Sequence, residues 1–163
     1  MPMLDAYIPE GALTPQAERT LLAELTDILL RHEGADPTNP SARALAKVWL
    51  HRPAKVLQAG EVVSAPHYKF VAAVPEGQYD DERREAMVVA VTKAVLDAEE
   101  GRHTRDPLRV WIFASEVPEG TWGGGGHIVR LADIAGIVLD DAAKGREYAG
   151  RRLANRNDGR RSA

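Results

Sequence analysis

The sequence predicts an α/β (α+β) fold in which two β-α-β units form one four-stranded mixed sheet, with two helices on one face and a further helix at the C-terminus. The main observation is an internal repeat, because IPEGALTPQAERTLLAELT (8–26) aligns without a gap with VPEGQYDDERREAMVVAVT (74–92). Each copy follows one short apolar stretch and precedes another. A repeat of this kind indicates that one supersecondary unit occurs twice.

The first unit begins with a strand over Met3–Tyr7 and ends with a strand over Ala44–Leu50. Between them, Thr14 is a favourable N-cap and Pro15 suits the first helical position. The loop at Gly34–Ser41 is rich in Gly, Pro, Asp and Asn. Helical spacing predicts a buried stripe on this first helix, formed by Leu21, Leu22, Leu25, Ile28 and Leu29.

The second unit has strands over Lys69–Ala73 and Leu108–Ala114, which are short, apolar and partly β-branched or aromatic. Three acidic residues, 80–82, put negative charge on the first turn of its helix, where it interacts favourably with the helix dipole. Its predicted apolar stripe consists of Met87, Val88, Val91 and Val95.

The units cover about residues 2–63 and 67–127, which together make one domain at 2–127. A periodic pattern over 128–150 predicts a C-terminal helix, and 151–163 is expected to be a basic, flexible tail. Because two right-handed β-α-β crossovers place both helices on one face of a sheet, the other face stays uncovered. An uncovered apolar sheet face predicts self-association.

Composition excludes several classes of function. There is no cysteine, so disulfides and thiolate chemistry are absent, and the five histidines lack the spacing of metal ligands. The net charge is −3 although the last twenty residues are basic, which argues against nucleic acid as the main partner. No apolar run is long enough to cross a bilayer. We therefore expect a cytoplasmic protein that needs no metal, cofactor, nucleic acid or membrane.

The sequence opens Met1-Pro2, and a small second residue normally permits removal of the initiator methionine. Removal would leave Pro2 with a free secondary amine, and an α-amino group has a reference pKa of about 7.7–8.0. Burial or nearby cations would lower that pKa. Such an amine is suited to taking a proton from a carbon next to a carbonyl group.

Together, the motifs PMLDAYIPEGALTPQAE and RVWIFASEVPEGTWGGGG make residues 2–127 resemble the tautomerase superfamily. Its members include 4-oxalocrotonate tautomerase and macrophage migration inhibitory factor, and the two-unit layout is similar to cis-3-chloroacrylic acid dehalogenase. The resemblance implies a homotrimer of β-α-β units with an amino-terminal catalytic proline, here Pro2. The repeat places Tyr68 opposite Pro2, so only one half carries the amine.

The resemblance also implies substrate-binding positions. A cation at the start of the second strand would bind a carboxylate, at Lys47 in one half and Arg109 in the other. An aromatic wall would come from Trp122 after the last core strand, and from Trp111 and Phe113 on that strand. The glycine run 123–126 corresponds to the turn into a hairpin between subunits.

Several positions depart from the family pattern, because Ala12 and Gln78 stand where short members carry an arginine. Glu76, Tyr79 and Gly124 replace the polar groups of the dehalogenase, and Phe113 brings no hydroxyl or amide. The expected activity is keto-enol proton transfer on a small 2-keto or unsaturated acid, and a monocarboxylate or an uncharged carbonyl compound suits the site better than a dicarboxylate. Two alternatives remain, a non-catalytic trimeric interaction protein and a hydratase or decarboxylase of a small unsaturated acid.

Overall fold

Two copies of the β-α-β unit form the central sheet of the computed structural model, which describes the backbone of residues 1–161 and the side chains of residues 1–154. The first copy contributes β1 (Met3–Tyr7) and β2 (Lys47–His51), and the second contributes β5 (Tyr68–Pro75) and β6 (Val110–Val117). The sheet order is β2-β1-β5-β6, with parallel pairing inside each unit and antiparallel pairing between β1 and β5. The predicted mixed sheet is confirmed.

Two long helices, α1 (Pro15–Glu33) and α3 (Asp81–Ala98), pack against one face of this sheet. Thr14 caps α1 by accepting a hydrogen bond from the Ala17 N–H, and Asp80 caps α3 in the same way. Every residue of the two predicted stripes is buried or packs against the core. The sheet contributes its inward side chains to that core, notably Leu4, Ala6, Phe70, Ala72 and Val74.

The first loop differs from the prediction, because a short helix, α2 (Pro40–Leu45), occupies part of it. Asn39 caps α2 by accepting a hydrogen bond from the Ala42 N–H at 3.0 Å, and Pro40 stands in its first turn. As a consequence, β2 starts at Lys47 and not at Ala44. Two small hairpins complete the loops, β3 (Leu57–Gln58) with β4 (Glu61–Val62), and β7 (Gly123–Gly124) with β8 (His127–Ile128).

The C-terminal segment contains two helices where the sequence predicts one over 128–150. They are α4 (Leu131–Leu139) and α5 (Ala142–Arg161), separated at Asp140, which adopts a left-handed conformation with φ 51°. The predicted boundary between helix and tail at residue 151 falls inside α5. Residues 162–163 of that predicted tail lie outside the described residues, as do all side chains after Ala154.

Among the residues that the structure describes, no helix packs against the sheet face opposite α1 and α3. We call it the open face; its half-exposed aromatic side chains include Trp49, Trp111 and Phe113. Tyr7 stacks on His51 there, and the Lys69 ammonium lies 5.0 Å from the centre of the Tyr7 ring. None of the helices described is long and apolar enough to cross a membrane.

Candidate active site

The N-terminus of the chain is buried at the start of β1. The Pro2 carbonyl accepts a hydrogen bond from the Lys47 N–H at 3.2 Å, which continues the β1–β2 pairing by one residue. The Met1 amine donates to both carboxylate oxygens of Glu33 at 2.7 Å, and Glu33 is only 4% exposed. A buried ion pair therefore holds the first residues of the chain in place.

The end of α1 sets the position of Glu33. Glu33 is the last residue of α1, and Gly34 ends the helix in the left-handed region with φ 91°. The Gly34 N–H bonds the Arg31 carbonyl and the Ala35 N–H bonds the Leu30 carbonyl, so the last turn is closed as helix C-caps usually are. This fixed turn holds the Glu33 carboxylate beside the start of β1.

The amine and the carboxylate influence each other's pKa. Burial lowers the pKa of the Met1 amine, while the charge and hydrogen bonds of Glu33 oppose that shift. Burial likewise raises the pKa of the Glu33 carboxyl against the opposing effect of the amine. The two pKa values therefore move towards each other. A neutral amine beside a protonated carboxyl is more favourable at this buried site than it would be in water.

A cavity of about 80 Å³ opens beside this pair. Most of its wall is apolar, and α4 supplies the largest part through Leu131, Ile134, Ala135, Val138 and Leu139. Since Met1 itself lines the cavity, loss of Met1 would enlarge it next to Pro2. The polar groups in its wall come from Glu33, Gln78 and Tyr148.

Gln78 contributes the amide of this cavity. It is 4% exposed, and its Oε1 accepts a hydrogen bond from the Tyr148 hydroxyl at 2.8 Å. Its Nε2 is buried and has no hydrogen-bond partner among the described residues. The Gln78 backbone carbonyl accepts hydrogen bonds from Arg83 (3.2 Å) and Arg152 (2.7 Å). A residue of the cavity wall therefore carries one buried neutral donor without a partner among the described residues.

Tyr79 adds a second buried hydroxyl close to the same region. Its hydroxyl has no hydrogen-bond partner within residues 1–154. Burial raises the pKa of Tyr79, and the negative charge of Glu33 raises it further. Tyr79 is therefore neutral at physiological pH. Its side chain does not line the cavity.

Four of the predicted binding residues lie away from the cavity in this protomer. The Lys47 ammonium is exposed and donates to the Ala44 carbonyl at 2.8 Å. Trp111 and Phe113 are 58% and 50% exposed on the open face. Trp122 is half-buried at the base of the β7–β8 hairpin, where its carbonyl accepts a hydrogen bond from the Val129 N–H.

Arg109 has a different role from the one its sequence position implies. It is 5% exposed, and its two terminal nitrogens bond both carboxylate oxygens of Glu99 at 2.6 Å. Their remaining hydrogens are donated to the carbonyls of Pro66 and Thr104. All four terminal N–H groups are thus engaged within the protomer, and the Nε–H is buried without a partner among the described residues.

The register separates Arg109 and Trp111 from Pro2 within one chain. Met3 pairs with Ala73, whereas Tyr68 pairs with Val110 at the other end of β5. At about 3.4 Å per residue, the two ends of the sheet are roughly 20 Å apart. Trp111 can approach a Pro2 site only if it belongs to a neighbouring protomer.

No group of three or more His, Cys, Asp or Glu side chains is arranged to hold a metal ion in the described part of the chain. The imidazole with the clearest carboxylate partner is His51, whose Nε2 lies 2.6 Å from Asp5 on the open face. That pair is on the surface of the sheet and does not line the cavity.

Comparison with solved structures identifies the fold of the chain. A fused 4-OT that forms an asymmetric trimer superposes with a TM-score of 0.61 at 18% identity, covering 77% of this chain and 94% of that one. Pt0534 inactivated by 2-oxo-3-pentynoate gives 0.62 at 23% identity with the same coverage. N1, a member of the cis-3-chloroacrylic acid dehalogenase family, gives 0.60 at 17% identity and covers 90% of this chain and 89% of that one. The chain has the tautomerase fold. No family model and no curated protein matches the sequence.

Within the tautomerase fold, the sequence reasoning missed Glu33 and Tyr148 as residues of the cavity. The repeat contains a signal for Glu33, because the alignment that pairs Pro2 with Tyr68 also pairs Glu33 with Glu99. In both halves a buried glutamate at the end of the long helix lies near the start of the first strand, since the Met1 amine donates to Glu33 and the Tyr68 hydroxyl donates to Glu99 at 2.9 Å. The sequence has no comparable signal for Tyr148, which reaches the cavity from α5.

Proposed function

We propose that this chain is a tautomerase-like isomerase whose base is the secondary amine of Pro2, exposed when Met1 is removed. The observation that carries the proposal is the burial of the chain's N-terminus against an apolar cavity, beside Glu33. Chain ends are usually exposed to solvent, so a buried terminal amine is uncommon. An amine in such an environment is suited to proton transfer.

The proposed reaction moves one proton. The neutral Pro2 nitrogen takes a proton from the carbon next to the substrate carbonyl, and the electron pair of that C–H bond forms an enol or dienol. The resulting ammonium returns the proton to the same carbon or to a carbon further along the conjugated system. The amine is then neutral again, so the reaction as written consumes no cofactor.

The surroundings of the N-terminus support this role in two ways. Burial lowers the pKa of the terminal amine in the structure, which increases its neutral fraction. The apolar wall from α4 keeps water away from the reacting carbon, which strengthens the hydrogen bonds made to the developing enolate. Glu33 opposes the lowering of the amine pKa by burial. An acidic side chain thus lies where the sequence predicted a cation beside Pro2.

We propose a homotrimer in which the open faces pack around a three-fold axis. The exposed aromatic side chains of that face and the trimeric assembly of the fused 4-OT support it. In such an assembly, Trp111 and Phe113 would reach the Pro2 site from a neighbouring protomer, while Lys47 and Trp122 would lie at its rim. These four side chains remain the proposed substrate contacts of the trimer.

The test compares wild-type protein with Pro2→Ala on a panel of enolisable carbonyl compounds. Intact mass spectrometry first establishes that Met1 is absent from both proteins. A positioned general base contributes about 10²–10⁴-fold, so we expect Pro2→Ala to lose about 10²-fold or more in kcat/KM. Equal rates for the two processed proteins would remove Pro2 as the base, and no turnover by wild type would favour a non-catalytic interaction protein.

A further inference from the structure

We infer that the cavity at the N-terminus binds an uncharged enolisable carbonyl compound, whose oxygen accepts a hydrogen bond from Gln78 Nε2, and that the cavity discriminates against carboxylates. The inference rests on the proposed function, and it names the class of substrate for the same site. It departs from the 2-keto or unsaturated acid that the family resemblance implies.

The first observation is the charge of the cavity. Among its described lining residues, Glu33 is the one charged side chain, and the Met1 amine is the one positive group that contacts it. A reacting Pro2 amine must be neutral, so a substrate carboxylate would then lie near Glu33 without a cation of the cavity wall between them, because Lys47 is placed at the rim and does not line the cavity. Two carboxylates that share a low-dielectric site repel each other, and one of them has to take up a proton.

The second observation is the apolar wall. Leu131, Ile134 and Val138 of α4 face the cavity together with Pro75 at the end of β5. Such a surface offers no hydrogen bond to a carboxylate, whose burial without donors is costly. It gives the hydrocarbon part of a ketone or aldehyde a favourable place to bind.

The third observation is the unused donor. Gln78 Nε2 is buried without a partner among the described residues, and an unsatisfied buried donor destabilises the fold. The Tyr148 hydroxyl donates to Oε1, which leaves Nε2 as the donor on the other side of the amide. A neutral amide matches a neutral carbonyl oxygen, and its hydrogen bond strengthens as that oxygen gains charge in the enolate.

Two nearby guanidinium groups allow a test of the opposite preference, in which the cavity binds carboxylates. Arg83 and Arg152 both donate to the backbone carbonyl of Gln78, and neither lines the cavity. If they served a substrate carboxylate, the cavity would prefer acids, and replacing either arginine would abolish that preference.

The experiment measures covalent labelling of Pro2 and does not depend on turnover. The two reagents are 2-oxo-3-pentynoate, which inactivates Pt0534, and pent-3-yn-2-one, in which a methyl group replaces the carboxylate. In each, the Pro2 nitrogen bonds to the distal alkyne carbon, one C–C π bond is lost, and the amine proton moves to the carbon next to the carbonyl. The adduct contains the whole reagent, so peptide mass spectrometry gives the rate at Pro2.

Each rate is divided by the rate of the same reagent with prolinamide, which corrects for intrinsic reactivity. We expect the uncharged ketone to be favoured by about tenfold or more, since 1.4 kcal/mol of repulsion corresponds to a factor of ten. Glu33→Gln should reduce that preference at least threefold. Gln78→Leu should slow labelling by the ketone, whereas the control Gln58→Leu, on the exposed β3 strand, should not.

The outcomes separate this inference from the proposed function. A preference for the acid that disappears in Arg83→Gln or Arg152→Gln would overturn the inference, although Pro2 would remain the reactive amine. An unchanged preference in Glu33→Gln would also overturn it. This isosteric variant carries the test if Gln78→Leu fails to fold. Absence of any Pro2 adduct with both reagents would refute the proposed function, and the inference with it.

Discussion

Arg109 gives the clearest prediction about stability, because its guanidinium is buried and both of its terminal nitrogens bond the Glu99 carboxylate. Arg109→Met would leave the Glu99 carboxylate, 2% exposed, with the Tyr68 hydroxyl as its remaining hydrogen-bond donor. Removing one partner of a buried ion pair costs about 3–5 kcal/mol. For a chain of this size, that corresponds to a fall in melting temperature of roughly 6–20 °C. Urea denaturation at neutral pH measures the free energy directly.

The same variant should show a characteristic dependence on pH. Burial alone would raise the pKa of Glu99, but hydrogen bonds from Arg109 and Tyr68 and the charge of Arg109 lower it below its ordinary value. The wild-type pair therefore stabilises the fold above the ordinary glutamate pKa and loses that contribution as pH falls through the lowered value. In Arg109→Met the pKa of Glu99 rises, so the folded variant takes up a proton before the unfolded chain. The difference in unfolding free energy between wild type and the variant should therefore shrink as the pH falls from about 8 to about 5.

A double variant serves as the control. Arg109→Met combined with Glu99→Gln removes the unpaired charge and keeps an acceptor for Tyr68, so it should recover most of the lost free energy. A change below about 0.5 kcal/mol in Arg109→Met, with a raised KM for acidic substrates, would refute the buried-pair reasoning and restore Arg109 as a substrate-binding cation.

Three further predictions concern the cavity and its cover. Gly145→Ala places a Cβ in steric overlap with the backbone nitrogen of Gly136 between α4 and α5, so it should cost about 1–3 kcal/mol. The control Gly150→Ala, with open space around it, should be neutral or stabilising in thermal denaturation. Glu33→Gln removes the charge that raises the pKa of the terminal amine, so the acidic limb of the pH–rate profile should move to lower pH; a shift to higher pH would contradict the assigned contact. Deleting residues 155–163 should leave the assembly intact by sedimentation, and loss of the trimer would show that this basic segment is part of the interface.

The repeat is the reason that the fold can be predicted from the sequence. It fixes the order and direction of four strands, and the caps at Thr14 and Asp80 fix where two helices begin. The short helix α2 was also within reach, since Asn39-Pro40 is an N-cap followed by a proline suited to the first turn. The break at Asp140 depends on a left-handed residue that is not glycine, which the apolar periodicity does not indicate.

The site was less predictable, because the identity of a residue does not state its partner. Arg109 has the type and position of a carboxylate-binding residue, yet the carboxylate that it binds is Glu99 of the same chain. The two halves also align differently at their second strands. The sequence comparison makes Arg109 the counterpart of Lys47, whereas the sheet register makes Trp111 its counterpart. Lys47 pairs with the residue that follows Pro2, and Trp111 pairs with the residue that follows Tyr68.

The most direct test of the central claim measures proton transfer by the terminal amine itself. The protein is prepared in two forms, with Met1 removed and with Met1 retained, and each is incubated in D₂O with an uncharged enolisable ketone. NMR follows the replacement of hydrogen by deuterium at the carbon next to the carbonyl. We predict rapid exchange with the form that begins at Pro2 and exchange at the buffer rate with the form that keeps Met1. Equal catalysed exchange by both forms would contradict Pro2 as the base.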